Sequence, residues 1–445
     1  MRFVLPVVVA RAAVLGLALG LLPGCGASGA LRAAESGDYP ALRQAIVADL
    51  GAGRLDAGDA RAIAKAVAEF EVRAARGPVG VDRVRQLSTC ARSIDETLEQ
   101  LAEGDDEAAA AAALVRIDAN LPDAQDRARR TPLQGSPISP GAEAAWRAVA
   151  ARALVLPSDG PARRKLLADG DQEIRLAALR ASIDAVDAAD TEGVLEAARL
   201  DPYPLARTTA IRAAGAIGGE RIVLALKDAW ATADDPLRES IAQAWAMPRS
   251  IDAGGRRELL WAAETQRGSP SIAAASALSR GGGAGASDAL GVLTRAIEHG
   301  PTKDRIYAIL VAPLSAAVIR AAVVKAKKDP DEGVALIALS RHIQASPEDG
   351  GASAADRAAA VTELLKVANA TTTRALLARS MLVQARAREV LPFLERDVRS
   401  SDERARESTA TGLALMGELP AAAALLGDAA VRVRITAACA ILQAR

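Results

Sequence analysis

The chain reads as all-α: an α-solenoid of stacked two-helix repeats preceded by a helical N-terminal region. Three observations predict that class. Apolar residues fill 50% of the 445 positions while aromatics fill only 2%, so the apolar stock is Ala, Leu, Val and Ile rather than rings. Alanine has the highest helix propensity and lets helices approach closely. The third observation is a recurring phrase: an acidic start, a short gap, an aliphatic residue with Arg, then Ala at helical spacing.

The phrase stands in "DQEIRLAALRASI" (171–183), "DPYPLARTTAIRAAGAIG" (201–218) and "DDPLRESIAQAWA" (234–246). It returns at 269–279, 302–312, 329–340 and 371–382, then in "SDERARESTATGLALMG" (401–417) and "DAAVRVRITAACAIL" (428–442). Starts recur roughly every 26–40 residues, the period of two-helix repeats. Second helices such as "TEGVLEAARL" (191–200) and "ERIVLALKDAWA" (220–231) lie between them. The leading Asp, Ser or Thr predicts an N-cap, and a neighbouring Pro suits the first helical turn. Ile211, Ala214 and Ile217, like Leu237, Ile241 and Trp245, then share one face, and stacking neighbours must bury it. Gly218, Gly219 and Gly417 mark turns to the partner helix.

These residues resemble HEAT repeats, in the variant found in phycobilin lyase subunits. Asp171/Arg175, Asp201/Arg207, Asp235/Arg238 and Asp402/Arg406 look like that family's Asp–Arg ladder. The resemblance spans about residues 160–445 and is weakest over 268–330. It implies a fold and no particular activity. Each ladder Arg is expected to hydrogen-bond a neighbouring turn.

The N-terminus carries a different message. Arg2 and Arg11 flank "FVLPVVVA", and uncharged "AAVLGLALGLL" (12–22) follows. That is a secretory signal pattern, too interrupted for a spanning helix. "LPGC" (22–25) resembles a bacterial lipobox, which implies cleavage before Cys25 and acylation of that residue. Residues 1–24 are then a signal peptide and 25–30 a flexible tether. Several acyl chains anchor firmly where one would not. Gly26 rather than an acidic residue follows Cys25, which by the same resemblance favours the outer membrane, facing periplasm or surface. Residues 31–121 are expected to form a helical domain or irregular repeats, 122–141 a linker, and 142–445 the solenoid.

Cys25, Cys90 and Cys439 make no disulfide framework. A Cys90–Cys439 bond is open in principle, but a repeat array is expected to hold the two apart. The last segment, 428–445, ends on a first helix whose outer face has no evident cover, so docking of the C-terminus on a partner is expected.

Catalytic chemistry is sparse. His299 and His342 have no ligand set around them beyond Glu298 and are expected at the surface; no metal and no cofactor are expected. "RGGGAGASDALG" (280–291) lacks the strand and the Lys-Ser/Thr of a phosphate loop and is expected to connect helices, with Ser287 or Asp288 capping the next one. The formal net charge is zero, and the short basic run 325–329 suits a helix C-terminus, so no nucleic-acid partner is expected. Trp230, Trp245 and Trp261 fall in consecutive helices. Trp230 and Trp245 continue core faces. Trp261, with Trp245 behind it, is the candidate partner contact, since Trp is enriched at binding hot spots. The expected function is a membrane-anchored lipoprotein that serves as a protein-binding scaffold in the bacterial envelope and is not an enzyme. The alternative is a cofactor-handling or lyase-like protein related to the phycobilin lyases.

Overall fold

The computed structural model describes residues 27–130, 139–345 and 352–444, and every regular element among them is helical. The first helices of the repeats form one row: α1 (Ala57–Arg73), α2 (Gly77–Gln86), α3 (Glu107–Asp118), α4 (Pro140–Arg152), α5 (Gln172–Ala185), α6 (Pro204–Ile217), α7 (Asp235–Trp245), α8 (Ser269–Gly281), α9 (Thr302–Val311), α10 (Glu332–Gln344), α11 (Thr373–Gln384), α12 (Glu403–Leu415) and α13 (Val431–Gln443). From α2 onward each packs on the next. Second helices such as Glu220–Thr232 and Leu391–Asp397 back this row. The chain is an all-α solenoid.

Local chemistry sets where the helices start. Asp171 caps α5 by accepting from Glu173 N at 2.8 Å, Asp234 caps α7 through Leu237 N at 3.0 Å, and Thr372 caps α11 through Ala375 N at 3.3 Å. Pro204 and Pro236 sit in first turns, where no intrahelical donor is lost. The row packs tightly because its facing residues are small. A Cβ on Gly215 would sit 2.8 Å from Ala244 Cβ and 2.6 Å from Met247 Sδ.

The Asp–Arg pairs are offset by one repeat from their reading in the sequence. Arg175 does not pair with Asp171, which is occupied as a cap. Its Nε and Nη2 donate to Asp201 at 2.7 and 3.0 Å, and its Nη1 donates to Asp169 O and Gly170 O in its own turn. Arg406 treats Asp428 and Ser400 O the same way, at 2.7 and 3.0 Å and at 2.8 Å. Arg305 reaches Asp329, within the stretch where the phrase is weakest, and Arg147 reaches Asp169. Each rung clips its own turn to the next one. Arg207 bonds the backbone of Asp201, and Arg238 keeps its predicted partner Asp235 at 4.0 Å while its Nε donates to Trp230 O at 3.1 Å.

The row does not end in the open. Helix α13 packs on α1, on α2 and on the 3-10 segment Leu87–Ile94, so the solenoid closes into a ring. One apolar cluster contains both Ile63, Val67 and Leu98 and Leu413, Val433 and Ile441. The expectation of a bare C-terminal face is therefore corrected: the chain's own N-terminal helices cover it. The disulfide expectation is corrected with it. Cys90 and Cys439 are bonded across 349 residues, because closure brings their Cα atoms to 4.9 Å.

A buried ion pair marks the seam. Arg434 Nη1 donates to Asp428 O and Ala429 O at 2.7 and 3.0 Å, as a ladder Arg does in its own turn. Its Nε and Nη2 donate to Glu71 Oε1 of α1, at 3.0 and 2.8 Å. Glu71 thus takes the place of the next repeat's Asp. It is fully buried, and Tyr39 OH donates to the same oxygen at 2.5 Å while Arg83 lies 3.2 Å from Oε2. The Arg434 guanidinium stacks 3.7 Å from the Tyr39 ring centroid. Burial first, then the bond to Glu71, pushes the Tyr39 hydroxyl pKa well above the usual phenol value. Gly427 allows close approach here, since a Cβ would lie 2.8 Å from the backbone of Arg43.

Candidate functional site

Helices of the row make side-chain contacts that skip one or two neighbours. Arg85 of α2 lies 3.7 Å from Glu173 of α5, Arg180 of α5 lies 3.6 Å from Asp118 of α3, and Tyr307 of α9 donates to Glu239 of α7 at 3.3 Å. Such contacts require the concave side of a curved array, because helices splay apart on the convex side. The free face of the row is therefore the inner wall of the ring. Burial, then the charge of Glu239, pushes the Tyr307 hydroxyl up to about 12.

Beside the seam the inner wall opens into a cleft of about 600 Å³. Gln86 and Thr89 from the N-terminal end meet Thr411, Thr436 and Gln443 from the C-terminal end, with Cys439 in its lining. A second hollow of about 370 Å³ continues it toward α11, where Ser380, Gln384 and Ser408 line it. Glu407, Thr411, Leu415 and Thr436 belong to both, so the two form one groove. The lining is rich in hydroxyls and amides because α11–α13 place Ser, Thr or Gln on the face that packing leaves free. Arg432 Nε donates to Glu407 at 2.9 Å and Thr436 Oγ1 donates to it at 3.2 Å, which leaves that carboxylate engaged. No histidine lines the groove among the described residues. Large exposed leucines punctuate the inner row at Leu205, Leu310, Leu377 and Leu415. Apolar spots between hydrogen-bonding groups, with Arg404 and the Glu407–Arg432 pair as the charges of the lining, suit a polypeptide, which offers backbone amides and apolar side chains in alternation.

The two sequence-predicted tryptophans fall elsewhere. Cys25 lies outside the described residues. Trp245 is fully buried, its ring stacked on Trp230 at 5.1 Å and its Nε1 donating to Val223 O at 3.3 Å, so it supports its neighbours and touches no partner. Trp261 is half-buried on the second layer, edge-on to Trp230 at 6.0 Å, with Lys227 Nζ 5.1 Å from its ring centroid. Lys227 also pairs with the fully buried Glu258 at 2.6 Å. The tryptophans thus form one cluster, away from the groove. The groove itself was missed. A run of Ser, Thr and Gln at one helical phase in the last three phrases was the only signal for it.

Two further expectations change. His299 is exposed, but His342 is buried with Nε2 unpaired, because α10 turns it into the packing between its neighbours. Burial first, then Lys327, holds its pKa below the usual imidazole value. The glycine-rich loop leads into a helix whose N-cap is Gly285, with no side-chain cap from Ser287 or Asp288. Arg256 donates to Gly282 O and ties the loop down. Among the described residues no group of three or more His, Cys, Asp or Glu is placed to hold a metal, and no helix is long and apolar enough to cross a membrane.

No family model matches the chain, and no curated protein matches it by sequence. Similar solved structures include an engineered protein, 18% identical over 88% of this chain and 99% of that one, with a TM-score of 0.26. The complex of CpcE and CpcF of phycocyanin lyase from Nostoc sp. PCC7120 is 20% identical over 58% of this chain and 94% of that one, at 0.29. Kap121p bound to Nup53p is 15% identical over 90% of this chain and 49% of that one, at 0.28. Likenesses this low carry nothing about activity. The solenoid assignment rests on the chain's own helix order and packing.

Proposed function

We propose that this protein is a scaffold of the bacterial cell envelope, anchored by lipid on Cys25, that holds an extended segment of a partner protein along the inner wall of its ring. The observation that carries the reading is the groove across α11–α13, whose Ser, Thr and Gln side chains and Leu415 surround Arg404 and the Glu407–Arg432 pair. At a helix spacing of ~9 Å, the groove would take about eight residues of extended chain at ~3.3 Å each. The Cys90–Cys439 bond supports export, since structural disulfides persist in oxidising compartments and are rare in the cytosol.

In-cell cross-linking and pull-down of wild type, Cys25→Ser and Thr436→Arg tests both halves. A discrete envelope partner recovered by wild type and lost with Thr436→Arg supports the groove. Loss with Cys25→Ser, accompanied by release from the membrane fraction, supports the anchor. Recovery with Thr436→Arg equal to wild type overturns the groove, and Cys25→Ser that stays in the membrane fraction overturns the anchor.

A further inference from the structure

The groove contains a feature that partner binding does not use. Cys439 is part of its lining, on the inner wall, with only 3% of its surface exposed, while Cys90, 2% exposed, stands behind it on the segment Leu87–Ile94. The bond between them is the single covalent link between the first and last units of the ring. The other seam contacts are reversible: Glu71 with Arg434, Gln443 donating to Thr89 O, and Arg61 donating to Ala444 O at 3.2 Å. A ring closed only by such contacts opens locally at the seam at a lower free energy than a covalently closed one.

We propose that the Cys90–Cys439 bond is a thiol-exchange site and that a dithiol donor reaching it from the groove opens the ring. The donor thiolate attacks Cys439 Sγ, and the Cys90 thiolate leaves and takes up a proton. The donor's second thiol then attacks its own sulfur in the mixed disulfide and frees the Cys439 thiol. Two electrons and two protons pass to the protein, and the donor departs as a disulfide. Opening separates α13 from α1 and lets a partner segment enter the groove from the side rather than by threading. That use rests on the partner-binding reading; the opening does not.

Hydrogen exchange of the full chain, oxidised and after complete reduction with dithiothreitol, tests the site. Mass-resolved alkylation confirms that Cys90 and Cys439 have become thiols. Amides of α13 and α1 should exchange at least tenfold faster on reduction, with α5–α7 unchanged. Cys439→Ser should show the same pattern without reductant, and oxidised Glu71→Gln should keep its seam protection. Unchanged seam exchange after complete reduction overturns the proposal. So does a rise around the whole ring, which would make the bond a general staple, or an oxidised Glu71→Gln that opens as fully as the reduced wild type. Seam exchange is independent of partner recovery, so failure of the groove reading in the pull-down leaves this test intact.

Discussion

The rung between Arg175 and Asp201 and the seam between Arg434 and Glu71 use one donor geometry in two settings. Each Arg spends one nitrogen on carbonyls of its own turn and two on a carboxylate across the interface. At Asp201 the acceptor is a short side chain in the next turn, itself bonded by Tyr203 N at 2.9 Å. At Glu71 it is a longer side chain from the middle of a helix that lacks the repeated phrase, wholly buried and crowded by Tyr39 and Arg83. The ladder is therefore a general clip, and the seam reuses it where no next repeat exists. The surroundings of the acceptor decide how much each is worth. Both carboxylates are buried, but Asp201 keeps a backbone donor in its own turn when its Arg is lost, while Glu71 sits mid-helix inside the closed seam with no backbone donor of that kind.

Glu71 should accordingly be the costliest residue to strand. Arg434→Ala removes the two-pronged partner of a buried carboxylate and leaves it only Arg83 and Tyr39, a loss of up to the about 3–5 kcal/mol that breaking a buried pair costs. Urea denaturation of the oxidised chain should read that loss, and a shift no larger than that of Arg175→Ala would erase the distinction. Removing the clasp with Cys90→Ser should lower the free energy of opening the seam by about 2–5 kcal/mol, as read by faster exchange of α13 amides under non-reducing conditions with α5–α7 unchanged.

Gly427→Ala and Gly215→Ala compare the two regions through packing alone. Each adds a Cβ against a close neighbour, Arg43 backbone at the seam and Ala244 in mid-row. Overpacking of this kind costs about 1–3 kcal/mol. Only Gly427→Ala should speed exchange in α13; if both do, the seam is no more separable than any other interface. Arg175→Lys keeps the charge but loses the two-pronged bond, for about 1 kcal/mol.

The smallest expected effects are those of pH. The hydrogen bonds from Arg175 hold the Asp201 carboxyl below its usual pKa. Its contribution is full above the ordinary aspartate value of about 4 and is lost as pH falls below it. His342 is also depressed, so it stays neutral in the fold while the unfolded chain protonates near about pH 6.5. Stability should drop as pH falls below that value, and His342→Gln should flatten this upper part of the profile. Lys327 and Asp356 are the charged neighbours that set the size of the effect. A wild-type profile flat between about pH 6.5 and 5 would show that His342 does not bind protons differently on unfolding.

The repeats were legible because cap, Arg and Ala spacing are local, and α5–α7 and α10–α13 follow from them directly. Partner assignment in the ladder was not, since Arg175 and Asp201 lie 26 residues apart and only stacking aligns them. The seam was least legible of all. Cys90 and Glu71 belong to no phrase, and nothing near Cys439 or Arg434 points to residues more than 340 positions away. The groove hid for a further reason: hydroxyls and amides on a free helix face look like ordinary solvated surface until curvature gathers them. His342 went unrecognised because one imidazole in an Ala-rich helix carries no sign of which side it faces.

Closure also bears on how such a chain can change over generations. An open array can gain or lose a unit by duplication or deletion, because each unit meets only its neighbours and the ends carry their own covers. Here each end is the other's cover. An added unit would shift α13 by a full helix spacing and part Arg434 from Glu71 and Cys439 from Cys90 in one step. The unit count of this chain is held fixed by geometry, so its variation should be confined to loops and exposed faces.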